Sequence, residues 1–282
     1  MNPYDQSITA EDIENLKKIR NRKYLIIILR LLFAISFLTA WELSTQLGFL
    51  DPFFFSQPSG IYSQLVVWIF EGTSQGPLWQ ELLVTLEETC IGFLIGSVLG
   101  ILCGVFLGTN KLASDVFSIY IKIANAIPRI VLGSIFIIMF GLGMGSKIAL
   151  AVVMVFFVVF GNAFQGVIET DKNLIANAYI LGASKRQVTY TVILPSAMSW
   201  ILASLHVSFG FALVGAVVGE FLGSRHGLGL LISTAQGTFN ASGVFAAMVV
   251  LAFVALGAEY LISQLEKKLL KWRPAQLGVE VY

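Results

Sequence analysis

The fold class predicted by this 282-residue sequence is all-α: a polytopic membrane protein with six transmembrane helices. Three observations predict it. Hydrophobic residues make up 56% of the chain and charged residues only 12%, with a mean hydropathy of +0.81; a soluble domain carries about 25% charge. Apolar runs of about 20 residues, the length that crosses a ~30 Å hydrocarbon layer, recur along the chain. The Lys and Arg residues fall almost entirely on one side of the alternating connections between those runs.

Residues 1–24 form a polar tail of mixed charge with no cleavable signal, so the first apolar run is read as a retained anchor. The six spans are placed at about 25–46, 89–108, 117–141, 147–166, 198–222 and 243–263. They make one transmembrane domain over 25–265, followed by a second polar tail at 266–282. Between the first two spans, 47–88 predicts a proline-broken lead-in, a short amphipathic interfacial helix and a Gly-rich turn. Orientation follows from the cations. Lys17, Lys18, Arg20, Arg22, Lys23, Lys111, Lys172, Lys185, Arg186, Lys267, Lys268, Lys271 and Arg273 lie on one side, against Lys147 and Arg225 on the other. Both termini and the fourth connection are therefore expected in the cytoplasm of a bacterium, with the chain in its plasma (inner) membrane.

The second span repeats glycine at every fourth position, Gly92, Gly96, Gly100, Gly104 and Gly108. A face without side chains lets another helix approach closely; packing within the subunit, a pathway lining and a dimer contact all remain open. Cys90 and Cys103 fall on this same helix, about 20 Å apart, too far for a disulfide.

In the third span Pro128 predicts a kink. A cation such as Arg129 at mid-depth normally faces a cavity, a partner or water; it is either a buried pair or snorkelled side chain, or a cation facing the pathway with Asn125 and Ser134, which would suit an anionic substrate. Lys122 and Arg30 are read as snorkelling to the interface. Glu220 falls near the outer end of the fifth span, at a gate or as a support for the Gly-rich segment after it. His206 has no second ligand at matching spacing, and no metal site is expected.

The fourth connection, about 167–195, is longer and more patterned than a link requires. Asp171 is a helix N-cap, and Leu174, Ile175, Ala178 and Leu181 recur at helical spacing. Gly182 stands where a left-handed terminator is wanted, with Ala183 after it. Ser184 and Gln187 form a capping box for a second helix, and Pro195 marks the start of the fifth span. The reading is a helix, a hook and a helix projecting into the cytoplasm. An exposed apolar stripe there is costly unless covered, and two readings stay open: a surface-lying helix with no partner, or a docking helix for a cytoplasmic protein.

These residues also carry a resemblance. "ANAYILGASKRQVTYTVILP" is similar to the E-A-A-x-x-x-G … I-x-L-P loop of permease subunits in binding-protein-dependent ABC importers, with Ala176 in place of the Glu and Asn177 in place of the first Ala. "SQPSGIYSQLVVWIFEGTSQGPLWQELLVTLEETCIGFLIGSVLGILCGVFLG" resembles the corresponding stretch of the nitrate/sulfonate/taurine/bicarbonate branch. So do "IPRIVLGSIFIIMFGLGMGSKIAL", with Gly133 where a second proline is usual, and "VVGEFLGSRHGLGLLI". Together they cover about 55–265. The resemblance implies a type I importer permease whose hook is a coupling helix (Asp171, Leu174, Ala178, Leu181, Gly182, Ala183, Ser184) seated on an ATPase pair. It also implies an extracytoplasmic binding protein and a second copy of the chain.

No phosphate-binding loop is present: "GLGMGSK" lacks the G-K-[ST] ending. No cofactor is therefore expected in this chain, ATP and Mg belonging to the partner ATPase, and the chain itself is expected not to be an enzyme. No nucleic-acid partner is expected. An ion-coupled secondary carrier is the rival reading; it needs ionisable residues near the midplane, where only Arg129 is available. An intramembrane hydrolase would need a nucleophile with a base, or a metal cluster, that the sequence does not supply.

Overall fold

A computed structural model describes residues 10–269, with side chains from 18 to 264. Residues 1–9 and 270–282, including Lys271 and Arg273 of the polar tails, lie outside the described residues. Helix is the only regular element among the described residues. The helices are α1 (Ala10–Gln46), α2 (Pro52–Phe55), α3 (Pro58–Phe70), α4 (Leu78–Thr109), α5 (Lys111–Ala126), α6 (Arg129–Phe140), α7 (Met144–Ile168), α8 (Lys172–Ile180), α9 (Lys185–Val188), α10 (Leu194–Leu222), α11 (Leu228–Gly237) and α12 (Ala241–Leu269). A π-helical turn, Thr189–Ile193, joins α9 to α10. Five stretches are long and apolar enough to cross a membrane, and the bent pair α5 and α6 makes a sixth if taken as one broken span.

Two units divide the chain, residues 1–63 and 64–282. In the first, Asp51 caps α2 by accepting from the Phe53 N–H at 2.9 Å. The Glu42 carboxylate accepts from the Ser59 N–H and hydroxyl at 3.0 and 2.8 Å.

The second unit is built around α7. The glycine face of α4 lies against it, with Gly92 opposite Ala151, Gly96 opposite Val155, Gly100 opposite Val159, Gly104 opposite Ala163 and Gly108 opposite Val167. Both partners repeat every four residues at a constant offset, so the helices run parallel with their ridges in register. A Cβ on any of these glycines would come within 2.4–2.9 Å of an α7 atom. Dispersion across this contact replaces the hydrophobic drive that lipid cannot supply. Helix α10 runs antiparallel to α7 and also touches α4: Gly166 meets Ala197, Gly215 meets Ala151 and Gly219 meets Lys147, while Thr85 of α4 bonds Glu220 of α10. Two apolar clusters fill the interior, Ala163, Val167, Ala197 and Ile201, and then Val155, Val159 and Ala212.

Four sequence expectations are corrected or refined. The second span begins at Leu78, not 89; of the polar residues at 78–88, Glu81, Thr85 and Glu88 are buried inside the fold, and Gln80 and Glu87 face outward. The third span is not one kinked helix but two, bent by 88° at Ile127 and Pro128. Pro195 stands in the first turn of α10, as expected, but does not begin the helical run. Helical backbone runs without a break from Lys185 to Leu222, and the π turn just before Pro195 widens the helix where the ring would clash with the preceding turn. The connection at 223–243, counted from sequence among the outward loops, contains α11.

Candidate functional site

Chemistry-bearing residues gather at three places. The first is the hook, at one end of α10. The Asp171 carboxylate accepts from the Asn173 N–H at 2.8 Å and starts α8. At its far end Gly182 has φ +84°. Its N–H donates to the Tyr179 carbonyl at 2.9 Å, while the Ala183 N–H reaches back to the Ala178 carbonyl at 3.0 Å. This is the paired bonding of a Schellman terminator, which leaves no helix-end carbonyl stranded at the bend. Ser184 and Gln187 then bond reciprocally as a capping box, at 2.8 and 3.4 Å. Val188 is buried and anchors the return, whereas Leu174, Ile180 and Leu181 project outward, the last two 81% and 86% exposed. The hook is thus a rigid, self-terminated helix with an uncovered apolar tip.

The second place is the break in the third span. The Arg129 guanidinium donates to Asn125 Oδ1 at 3.0 Å, bridging the two halves across Pro128. It also lies over the Phe157 ring of α7, 5.1 Å from the centroid. Ser134 is exposed farther along α6. Asn125, Pro128 and Arg129 therefore come together, while Glu220 belongs elsewhere.

Glu220 is fully buried in the third place, a polar cluster at the opposite end of α10 from the hook. Glu81, Thr85 and Glu88 of α4 and Lys147 of α7 share it, each 0–1% exposed. Thr85 donates to Glu220 Oε1 at 2.7 Å. Three successive backbone N–H groups at the start of α11 are taken up by three side chains: Gly227 by Glu81, Leu228 by Thr85 Oγ1 at 2.9 Å, and Gly229 by Glu220 Oε2 at 2.7 Å. Helix α11 has no side-chain cap of its own; α4 and α10 cap it, placing carboxylates at the positive end of its dipole. The Lys147 ammonium donates to the Leu142 and Gly143 carbonyls at 2.8 and 3.2 Å, just past the negative end of α6, and faces Glu88 and Glu220. Lys147, the Thr85 hydroxyl and the N-terminus of α11 offset part of the cost of burying these three carboxyl groups.

Sequence reasoning placed Glu220 beside the Gly-rich segment but missed Glu81, Thr85, Glu88 and Lys147 as its partners. One signal was available. The glycine face continues N-terminally at helical spacings of four, three and four through Glu88, Thr85 and Glu81, all on the buried side of α4. His206, for which spacing offered no second metal ligand, faces Glu259 of α12 at 3.0 Å. Among the described residues no group of three or more His, Cys, Asp or Glu could hold a metal ion.

The described residues thus form a bundle of glycine-packed apolar helices, five of them long enough to cross a membrane, with an exposed hook at one end. Residues 96–271 match the family described as the binding-protein-dependent transport system inner membrane component, and the chain belongs to that family. It is a multi-pass inner membrane ABC importer permease, akin to the sulfonate/taurine branch. It is 30% identical over 246 residues to the formylaminopyrimidine transport permease protein ThiX of Halalkalibacterium halodurans, covering 87% of this chain and 96% of that one. With the putative aliphatic sulfonates transport permease protein SsuC of Bacillus subtilis it shares 32% over 203 residues, 72% of this chain and 74% of that one. Its fold resembles the inward-facing MetNI methionine ABC transporter, with a TM-score of 0.60, 21% identity, and coverage of 69% of this chain and 94% of the other.

Proposed function

We propose that two copies of this chain form the translocation pathway of an ATP-driven importer. Both termini and the hook lie in the cytoplasm, where each hook seats on one of a pair of ATPase subunits that hold ATP and Mg. A binding protein on the other side delivers the solute. The observation that carries this reading is the uncovered tip of α8: Leu174, Ile180 and Leu181 are held out by a Schellman bend and a capping box. Such a surface is stable in water only when another protein covers it. Asp171, Ala178, Gly182, Ala183 and Ser184 set its shape. ATP-driven closure of the ATPase pair moves the hooks, and α10, continuous in helix from Lys185 to Leu222, carries that motion to the far end of the bundle.

Asn125, Pro128, Arg129 and Ser134 face the pathway in this reading. A cation at that depth needs water or an anion opposite it, so the solute is a small organic or inorganic anion or a small heterocycle. The names of relatives include a formylaminopyrimidine and aliphatic sulfonates, which fall in the same range of size.

The test is gentle detergent extraction of the tagged chain from native membranes, with mass spectrometry of its companions. An ATPase subunit should come with the wild-type chain and be lost when 171–187 is scrambled at equal expression. A chain that purifies alone and moves solute without nucleotide is a secondary carrier.

A further inference from the structure

The cap of α11 is assembled from distant parts of the chain, and its exposed neighbour is charged. Arg225 and His226 precede Gly227 and are both exposed. The His226 side chain is 58% exposed, yet its Nδ1 lies 3.1 Å from Oε1 of Glu81, which is 1% exposed. Residues 42–88 and 226–243 contain no Lys or Arg, and Lys147 is buried. Arg225 is therefore the exposed cation at this end of the bundle among the described residues. Pressure or pull on 224–226 acts directly on Glu81, and through Gly227, Leu228 and Gly229 on Thr85 and Glu220. Those three side chains sit on α4 and α10, which pack on each other and on α7.

We propose that Glu81, Thr85 and Glu220 are positioning residues that transmit partner contact at Arg225 and His226 to the bundle, and that the partner surface is an acidic patch of the delivering binding protein. This rests on the importer reading above. Two features favour it. Thr85 Oγ1 accepts from α11 and donates to Glu220 of α10 at once, so one hydroxyl on α4 ties three helices. The loop also lies close against the cap: a Cβ on Gly227 would fall 2.2 Å from the Glu220 carboxyl carbon, and one on Gly229 would fall 2.3 Å from the Val217 carbonyl oxygen. Loop, α11 and the ends of α4 and α10 therefore move together. The positive tip of the loop is complementary to a carboxylate surface, and complementary charge of this kind sets encounter and register.

The experiment uses the permease–ATPase complex in phosphatidylcholine nanodiscs, with and without phosphatidylglycerol. It measures ATP turnover against added binding protein isolated with the complex. The readout is the ratio of stimulated to unstimulated turnover. Thr85→Val and Glu81→Gln should lower that ratio about fivefold or more, within the ordinary range of coupling between sites, while Thr85→Ser, which keeps the hydroxyl, retains it. Arg225→Glu should raise the half-saturating binding-protein concentration about tenfold at low salt and less as salt screens the contact. Full stimulation in Thr85→Val, failure of Thr85→Ser to rescue, or an unchanged half-saturation in Arg225→Glu overturns the inference alone. So does an Arg225 effect that follows phosphatidylglycerol instead of the binding protein, which would make the tip a lipid contact. If Thr85→Val does not fold, Thr85→Ser and the exposed Arg225→Glu still decide. A wild-type complex with no ATP turnover overturns the importer reading and this inference with it.

Discussion

At one end of α10 the hook is held by bonds between residues two, three and five apart in sequence. At the other end α11 is capped by residues 9, 143 and 146 positions away. The hook would keep its shape with little help from the rest of the bundle, whereas the cap exists only when α4, α7 and α10 are assembled. A local device suits a surface that must dock and carry load. A long-range device suits a place where several helices must move as one. The same sequence therefore spends short-range signals on contact and long-range ones on cohesion.

Four substitutions probe that contrast, from the largest effect to the smallest. Gly100→Leu attacks the contact that holds the cap's supports in place. Its Cβ alone would meet Val159 Cβ at 2.9 Å and the Phe156 carbonyl oxygen and Phe160 nitrogen at 3.0 Å. Backbone cannot yield as a side-chain tip can, so the cost should exceed the usual ~1–3 kcal/mol of overpacking. Monodisperse complex after detergent extraction should be nearly lost, and normal yield would refute the close parallel contact of α4 and α7. Gly227→Val should come next, because the added atoms enter the Glu220 carboxylate and the backbone there has φ +112°. Lower thermal stability by size-exclusion after heating is the expected result. Unchanged stability would mean that α11 is not held by its cap.

Gly182→Val is the matched change at the hook. Nothing lies within 4 Å of a Cβ there, but φ is +84°, which costs a non-glycine residue about 1–2 kcal/mol. Yield and thermal stability should stay near wild type while ATP turnover loses its link to uptake. Should stability fall as far as in Gly227→Val, the hook is not the self-contained element described here. Arg129→Gln removes the ring contact and the charge, a change of order 1–2 kcal/mol. Uptake should drop about tenfold with the fold intact, and retained uptake would assign the arginine to bridging the broken span.

Local signals were legible because they need no knowledge of neighbours. Asp171, Gly182 and the Ser184–Gln187 pair could be read from spacing alone, and so could the glycine face of α4. The break at Pro128 was legible as a bend, but not as 88°, because the angle is set by what α6 packs on: Gly133 lets it lie against Leu150 and Leu222. The helical start at Leu78 was hidden because Glu81 and Glu88 lower the apolar signal that marks a span. Their burial depends on partners more than fifty residues away, in α7, α10 and α11. The pairing of His206 with Glu259 was hidden for the same reason, since the two lie 53 residues apart on different helices. Pro195 marked the first turn of α10 but not the start of the helical run, because the π turn that admits it within a helix has no sequence signature of its own.

The central claim is that this chain moves solute only when ATPase subunits act on its hook. Purified complex in proteoliposomes, with its binding protein outside and ATP or a non-hydrolysable analogue inside, tests it directly. Uptake with ATP, none with the analogue, and loss of ATP-driven uptake in Gly182→Val are the results this account predicts. Uptake by the chain alone, equal with and without nucleotide, would contradict it.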